Sequence, residues 1–108
     1  MINYESNAVI FQMLSHPVRL QILDELRTRE ACVCHLQAVT GRPQAYVSQQ
    51  LRFLRDAGLV EDIKEGQNVY YRLADEKVRL VLKEVLGSPG KPSKPVDCTC
   101  PFCLGDRD

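Results

Sequence analysis

Five cysteines carry the most distinctive chemistry in this 108-residue chain. Cys32 and Cys34 form a Cys-Val-Cys, and Cys98, Cys100 and Cys103 close the chain in Cys-Thr-Cys-Pro-Phe-Cys. The amino terminus, Met1-Ile2-Asn3-Tyr4-Glu5, lacks the basic and apolar regions of an export signal. No apolar run approaches the roughly 20 residues that a membrane helix needs. A soluble, cytoplasmic protein with no membrane partner is therefore expected. In a reducing compartment, an odd number of clustered cysteines fits metal binding or redox chemistry better than a disulfide framework. One buried cysteine can pack as a small hydrophobe. Three in six residues on a polar tail have no packing role.

Three sulfurs suit a pyramidal ion such as arsenite or lead, and four suit tetrahedral cadmium or zinc. Cys32 and Cys34 could combine with one or two of Cys98, Cys100 and Cys103. Alternatively, the tail cysteines could close their own three-sulfur site. The ten residues from Ser88 to Asp97 are rich in proline and span up to roughly 30 Å, at about 3.1 Å per residue. That reach covers the same chain or a partner, so both arrangements stay open. A redox sensor forming a disulfide or persulfide at the same sulfurs is the alternative. Catalysis is not expected. Cys100-Pro101-Phe102-Cys103 has no βαβ context around it, and the adjacent Cys34 and His35 diverge on a helix. No small organic substrate follows from the sequence. His16 and His35 read as partly exposed structural residues at helix starts, not as ligands.

Positioning these groups requires a folded scaffold, and 44% hydrophobic with 26% charged residues is ordinary for one domain. Val9, Ile10, Met13 and Leu14 predict a short amphipathic helix over residues 5–14. Ser15 or His16 could cap a second helix over 17–28, with Pro17 in its first turn and Val18, Ile22 and Leu26 every fourth residue. A third runs from about Val33 to Val39 and stops at Gly41. Arg42-Pro43 opens a fourth, ending near Ala57-Gly58, with Val47, Leu51 and Leu54 inward. The period then changes from 3.6 to 2: Leu59–Lys64 and Val69–Leu73 read as a hairpin around Glu65-Gly66-Gln67-Asn68. Asp75 caps a last helix carrying Val78, Val81, Leu82 and Val85. Residues 1–87 thus form one domain, mainly α with a small β-hairpin in the order ααααββα, and 88–108 a Pro-rich linker with a Cys-rich tail.

Inside that frame Cys32 and Cys34 stand where the third helix starts. Residues i and i+2 of a regular helix point about 200° apart. Both sulfurs can converge only at the frayed start, where the helix amino terminus also favours thiolate.

Two short helices, a glycine turn and a hairpin make a winged helix-turn-helix, whose second helix enters the DNA major groove. Gln44, Tyr46, Ser48, Gln49 and Gln50 stand on that helix as candidates for base edges. Arg42, Arg52 and Arg55 suit phosphates, and Lys64, Gln67 and Asn68 stand at the wing. Fourteen basic residues cancel fourteen acidic ones, so any contact with double-stranded DNA is a local patch and not a global field. The first and last helices each carry an apolar stripe that pairing across a two-fold axis would bury. A homodimer is therefore expected, with its reading helices roughly 34 Å apart.

Three ordered motifs carry a resemblance: His16-Pro17-Val18-Arg19-Leu20-Gln21-Ile22-Leu23, Cys32-Val33-Cys34-His35-Leu36, and Val47-Ser48-Gln49-Gln50-Leu51-Arg52-Phe53-Leu54-Arg55-Asp56-Ala57-Gly58-Leu59-Val60. Over residues 5 to 87 the chain resembles the ArsR/SmtB family of winged-helix, metal-responsive repressors. The resemblance implies a homodimer that leaves its operator when metal binds. It also implies a Cys-x-Cys site for arsenite, antimonite, cadmium, lead or bismuth. His35 stands where the family usually has aspartate. The amino-terminal cysteine of cadmium and lead sensors is missing, and so are the histidines of the family's second site on the last helix.

Overall fold

The computed structural model describes residues 1–90. Helix α1 (Tyr4–Leu14) begins at Asn3, whose side-chain oxygen accepts from Ser6 N–H at 3.0 Å. Helix α2 (Pro17–Leu26) has Pro17 in its first turn, where the missing N–H costs nothing. His16 holds the N-cap position but makes no capping bond, and the Ser15 hydroxyl donates back to Gln12 O. Neither side chain caps α2, contrary to the sequence expectation. Proline alone starts the helix.

Strand β1 (Ala31–Cys32) leads directly into α3 (Val33–Thr40), which Gly41 ends in the left-handed region at φ 68°. Glycine adopts that conformation without the clash a Cβ brings. Helix α4 (Gln44–Asp56) follows a three-residue turn. Strands β2 (Val60–Glu65) and β3 (Asn68–Leu73) form the hairpin, with Gly66 at φ 64° in the turn. Helix α5 (Glu76–Leu86) is capped by Asp75, which accepts from Lys77 N–H at 2.8 Å and Val78 N–H at 3.4 Å.

The sheet has three antiparallel strands in the order β1-β3-β2, not the two read from the sequence. Ala31 pairs with Tyr71 and Cys32 with Tyr70. A two-residue strand has no alternation to detect, so it left no sequence signal.

Ile22 and Leu23 of α2, Leu36 of α3, Val47, Leu51 and Leu54 of α4 and Val78 and Leu82 of α5 share one core and are almost wholly buried. Each such side chain contributes about 1.5–3 kcal/mol against exposure. The outer helices are different. On α1 only Leu14 is buried, while Val9 and Phe11 are exposed; on α5, Leu80, Val85 and Leu86 are exposed. A shallow apolar groove between the two is lined by Phe11, Leu14, Leu20, Val81 and Val85. No helix among the described residues is long and apolar enough to cross a membrane.

Candidate nucleic-acid interface and sulfur site

The stripe of Val47, Leu51 and Leu54 turns the opposite side of α4 outward. Gln44, Gln49 and Arg52 are exposed there, and Ser48 is half-buried. Tyr46 is half-buried against the core, with its hydroxyl 3.3 Å from His16 Nε2. The Arg42 guanidinium sits 5.5 Å from the centre of the Tyr46 ring, so the tyrosine steadies a cation at the helix start.

Gln50 does not belong to this outward set. It is 4% exposed, and its Oε1 accepts from Arg19 Nε at 2.7 Å. One step of 100° around the helix separates it from Gln49 and turns it inward. The Arg19 guanidinium also lies 5.4 Å from the centre of the Phe53 ring and reaches Met13 Sδ at 3.7 Å. Gln50 therefore clips α4 to α2 instead of facing a base. No sequence signal marks Arg19 for this role, because a charged residue beside an apolar stripe normally reads as solvated.

At the wing, Lys64 and Gln67 are exposed and Asn68 is half-buried. Arg55 is engaged with the hairpin, 3.5 Å from Asp62 and 3.7 Å from Asp56. Tyr71 lies nearby, its hydroxyl pushed above the usual 10.0 by burial first and by Asp62 second, against the opposing pull of Arg55 and Arg52. On the central strand β3, Arg72 bonds to Glu61 and stands 3.8 Å from Glu30.

The Sγ atoms of Cys32 and Cys34 are 3.2 Å apart. That is contact, well beyond the roughly 2.05 Å of a disulfide. Convergence of an i, i+2 pair follows from the backbone. Cys32 is extended (φ −86°, ψ 171°) and paired with β3, while Cys34 is already in the first turn of α3. Cys32 is buried and Cys34 half-buried. Cys34 is disulfide-bonded in this structure, so both sulfurs can join the ligand set of a thiophilic ion only once that bond is reduced. Among the described residues no group of three His, Cys, Asp or Glu side chains is placed to hold a metal. The remaining candidates, Cys98, Cys100 and Cys103, lie outside the described residues.

His35 departs from expectation. It is fully buried, not partly exposed, with Nε2 2.6 Å from Glu25 Oε2 at the end of α2. Its Nδ1 is buried with no hydrogen-bond partner. A glutamate at 25 carries no sequence mark of this role, because pairing depends on α2 crossing α3.

A short scaffold helix, an outward-facing helix after a glycine turn and a β-hairpin beside it define a winged helix-turn-helix. Residues 16–62 match the model of "Bacterial regulatory protein, arsR family". A transcriptional repressor SmtB homolog from Synechocystis is 42% identical over 72% of this chain and 59% of its own length. The homodimeric winged helix-turn-helix DNA-binding domain Mb0332 from Mycobacterium bovis has a TM-score of 0.71 and 35% identity, covering 76% of each chain. Reduced HlyU from Vibrio cholerae has a TM-score of 0.71 and 31% identity, covering 78% of this chain and 92% of that one. The chain belongs to the arsR family of bacterial regulatory proteins. It spans about three fifths of the length of the Synechocystis relative.

Proposed function

We propose that the chain is a metalloid-sensing transcriptional repressor that binds operator DNA as a homodimer and releases it when a thiophilic ion binds its cysteine sulfurs. The observation that carries this reading is the 3.2 Å contact between Cys32 and Cys34 at the junction of β1 and α3. Cys32 is paired with the wing strand and Cys34 stands on the scaffold helix that packs on α4. An ion drawing on both sulfurs acts where the wing meets the reading unit. Gln44, Ser48 and Gln49 would meet base edges, and Arg42 and Arg52 phosphates, with Lys64, Gln67 and Asn68 at the wing.

A third sulfur beside this pair suits a pyramidal ion such as arsenite, antimonite or lead, and a fourth suits tetrahedral cadmium or zinc. One or more of Cys98, Cys100 and Cys103 would complete three sulfurs.

The exposed apolar faces of α1 and α5 support the homodimer, as does the homodimeric Mycobacterium bovis relative. A redox-responsive repressor is the second reading. It is favoured by the disulfide at Cys34 and by the contact of that sulfur with Cys32.

The test is a competition titration on a duplex that the protein selects from a random library. Arsenite should release the DNA at stoichiometric ion with all thiols still reduced, and cadmium and zinc should require more. Release by peroxide alone, reversed by a reductant and unmatched by arsenite, would replace the metalloid reading with the redox one.

A further inference from the structure

The Cys32–Cys34 pair has a buried polar connection leading away from the DNA-facing side. His35, next to Cys34 in the first turn of α3, is held by Glu25 at 2.6 Å. The Glu25 side chain is 9% exposed and that of His35 is 0%, so water does not compete for the bond. Glu25 lies in the last turn of α2, and its backbone carbonyl gathers the chain that follows, accepting from Thr28 N–H at 3.1 Å and the Thr28 hydroxyl at 2.7 Å.

Two residues along, buried Arg27 reaches a different helix. Its guanidinium donates to Gly87 O at the end of α5 at 2.7 Å and is fixed on the other side by Asp24 at 2.7 Å. Arg79, on α5 itself, returns a bond to Arg27 O at 3.1 Å. The last turn of α2 is thus tied to the sulfur-bearing turn by one buried bond and to α5 by two bonds.

We infer that Glu25 and His35 are positioning residues for the sulfur pair, and that the Glu25–Arg27 turn is the connection by which a ligand on those sulfurs shifts α5. The physical reason is stiffness. Closing two sulfurs on an ion moves the first turn of α3, and a buried carboxylate–imidazole bond cannot be exchanged for water as that turn moves. The displacement passes to the α2 terminus. Arg27 hands it to a helix whose exposed Leu80, Val85 and Leu86 offer an apolar face to a second copy. The inference rests on the metalloid-release reading above and adds to it which residues carry the signal.

The two parts of the connection have different signatures. In the full-length protein, Glu25→Leu removes the partner of His35, so arsenite binding should weaken and release should fail. Glu25→Gln keeps an oxygen acceptor and should restore part of both. Arg27→Met lies beyond the sulfur site. It should bind arsenite with wild-type affinity and stoichiometry, yet lose release. The readout is the ratio of DNA dissociation constants with and without arsenite on the selected duplex. Coupling of this kind commonly spans 5–150-fold, and Arg27→Met should bring the ratio to within about twofold of one while arsenite-free DNA affinity stays within about twofold of wild type. Ile22→Val, a core substitution that loosens the domain generally, should keep the wild-type ratio.

If Arg27→Met releases DNA as the wild type does, or if Ile22→Val loses coupling equally, the connection is refuted and the sensing function stands. If wild-type protein binds the duplex but ignores arsenite, the functional reading fails and the connection with it.

Discussion

Replacing Cys32 with serine should separate sensing from stability. Cys32 occupies the N-cap of α3 with extended backbone and makes no capping bond there. A serine hydroxyl at that position can accept from the N–H of Cys34 or His35, and such a cap is worth about 1 kcal/mol. Against this, burial of a hydroxyl at a site 6% exposed costs about 1–3 kcal/mol if it stays unpaired and much less once the capping bond forms. The terms nearly cancel. Cys32→Ser should therefore lie within about 1 kcal/mol of wild type, a melting shift of no more than about 4–8 °C for a domain of this size. Cys32→Ala, with no oxygen to cap, should be about 1 kcal/mol less stable than the serine variant.

In both variants arsenite should no longer release DNA, since one sulfur of the pair is gone. Calorimetry and fluorescence anisotropy on the same samples give both readouts. Normal release from Cys32→Ser would remove this cysteine from the sensor. A serine variant less stable than the alanine one would show that the N-cap geometry is not what limits α3.

Other expectations concern separate elements. Gln49→Ala should weaken binding to the selected duplex by about 1–3 kcal/mol, the usual worth of a base-edge contact, with unchanged melting temperature; wild-type affinity would take that face out of the groove. Val85→Glu places a charge on the exposed apolar face of α5 and should yield a monomer in sedimentation, with DNA affinity falling in parallel. Asp75→Ala removes the cap of α5 and should cost about 1 kcal/mol in denaturant unfolding. Tyr71 has a hydroxyl pKa raised above 10.0 in the fold, so the native state holds its proton more tightly than the unfolded chain. Its contribution is complete below about pH 10 and is lost as pH rises through the folded value. Tyr71→Phe should flatten the alkaline fall of the melting temperature, and an unchanged slope would refute that assignment.

The element order was legible because the periodicities are strong. Val47, Leu51 and Leu54 mark one face of α4, and alternation through Val69, Tyr71 and Leu73 marks a strand, since core burial selects residues at the period of each backbone. Gly41, Pro17 and Asp75 were legible for local reasons of φ, a missing donor and a capping oxygen. Among candidate site residues, the exposure of Gln44, Gln49 and Arg52 followed from the same geometry. Gln50 did not, because whether a glutamine at the edge of a stripe faces solvent depends on what crosses behind it, and here Arg19 does.

The sequence by itself determined which residues could do chemistry and the order of the elements that carry them, because composition, period and capping are properties of the local chain. Only the tertiary structure decided that Cys32 belongs to a strand paired with Tyr70, and that His35 is buried on Glu25. It also decided that the two sulfurs meet at the seam between wing and scaffold helix. Each of those facts is a contact between segments far apart in sequence, and such contacts exist only once the core has fixed how the helices cross.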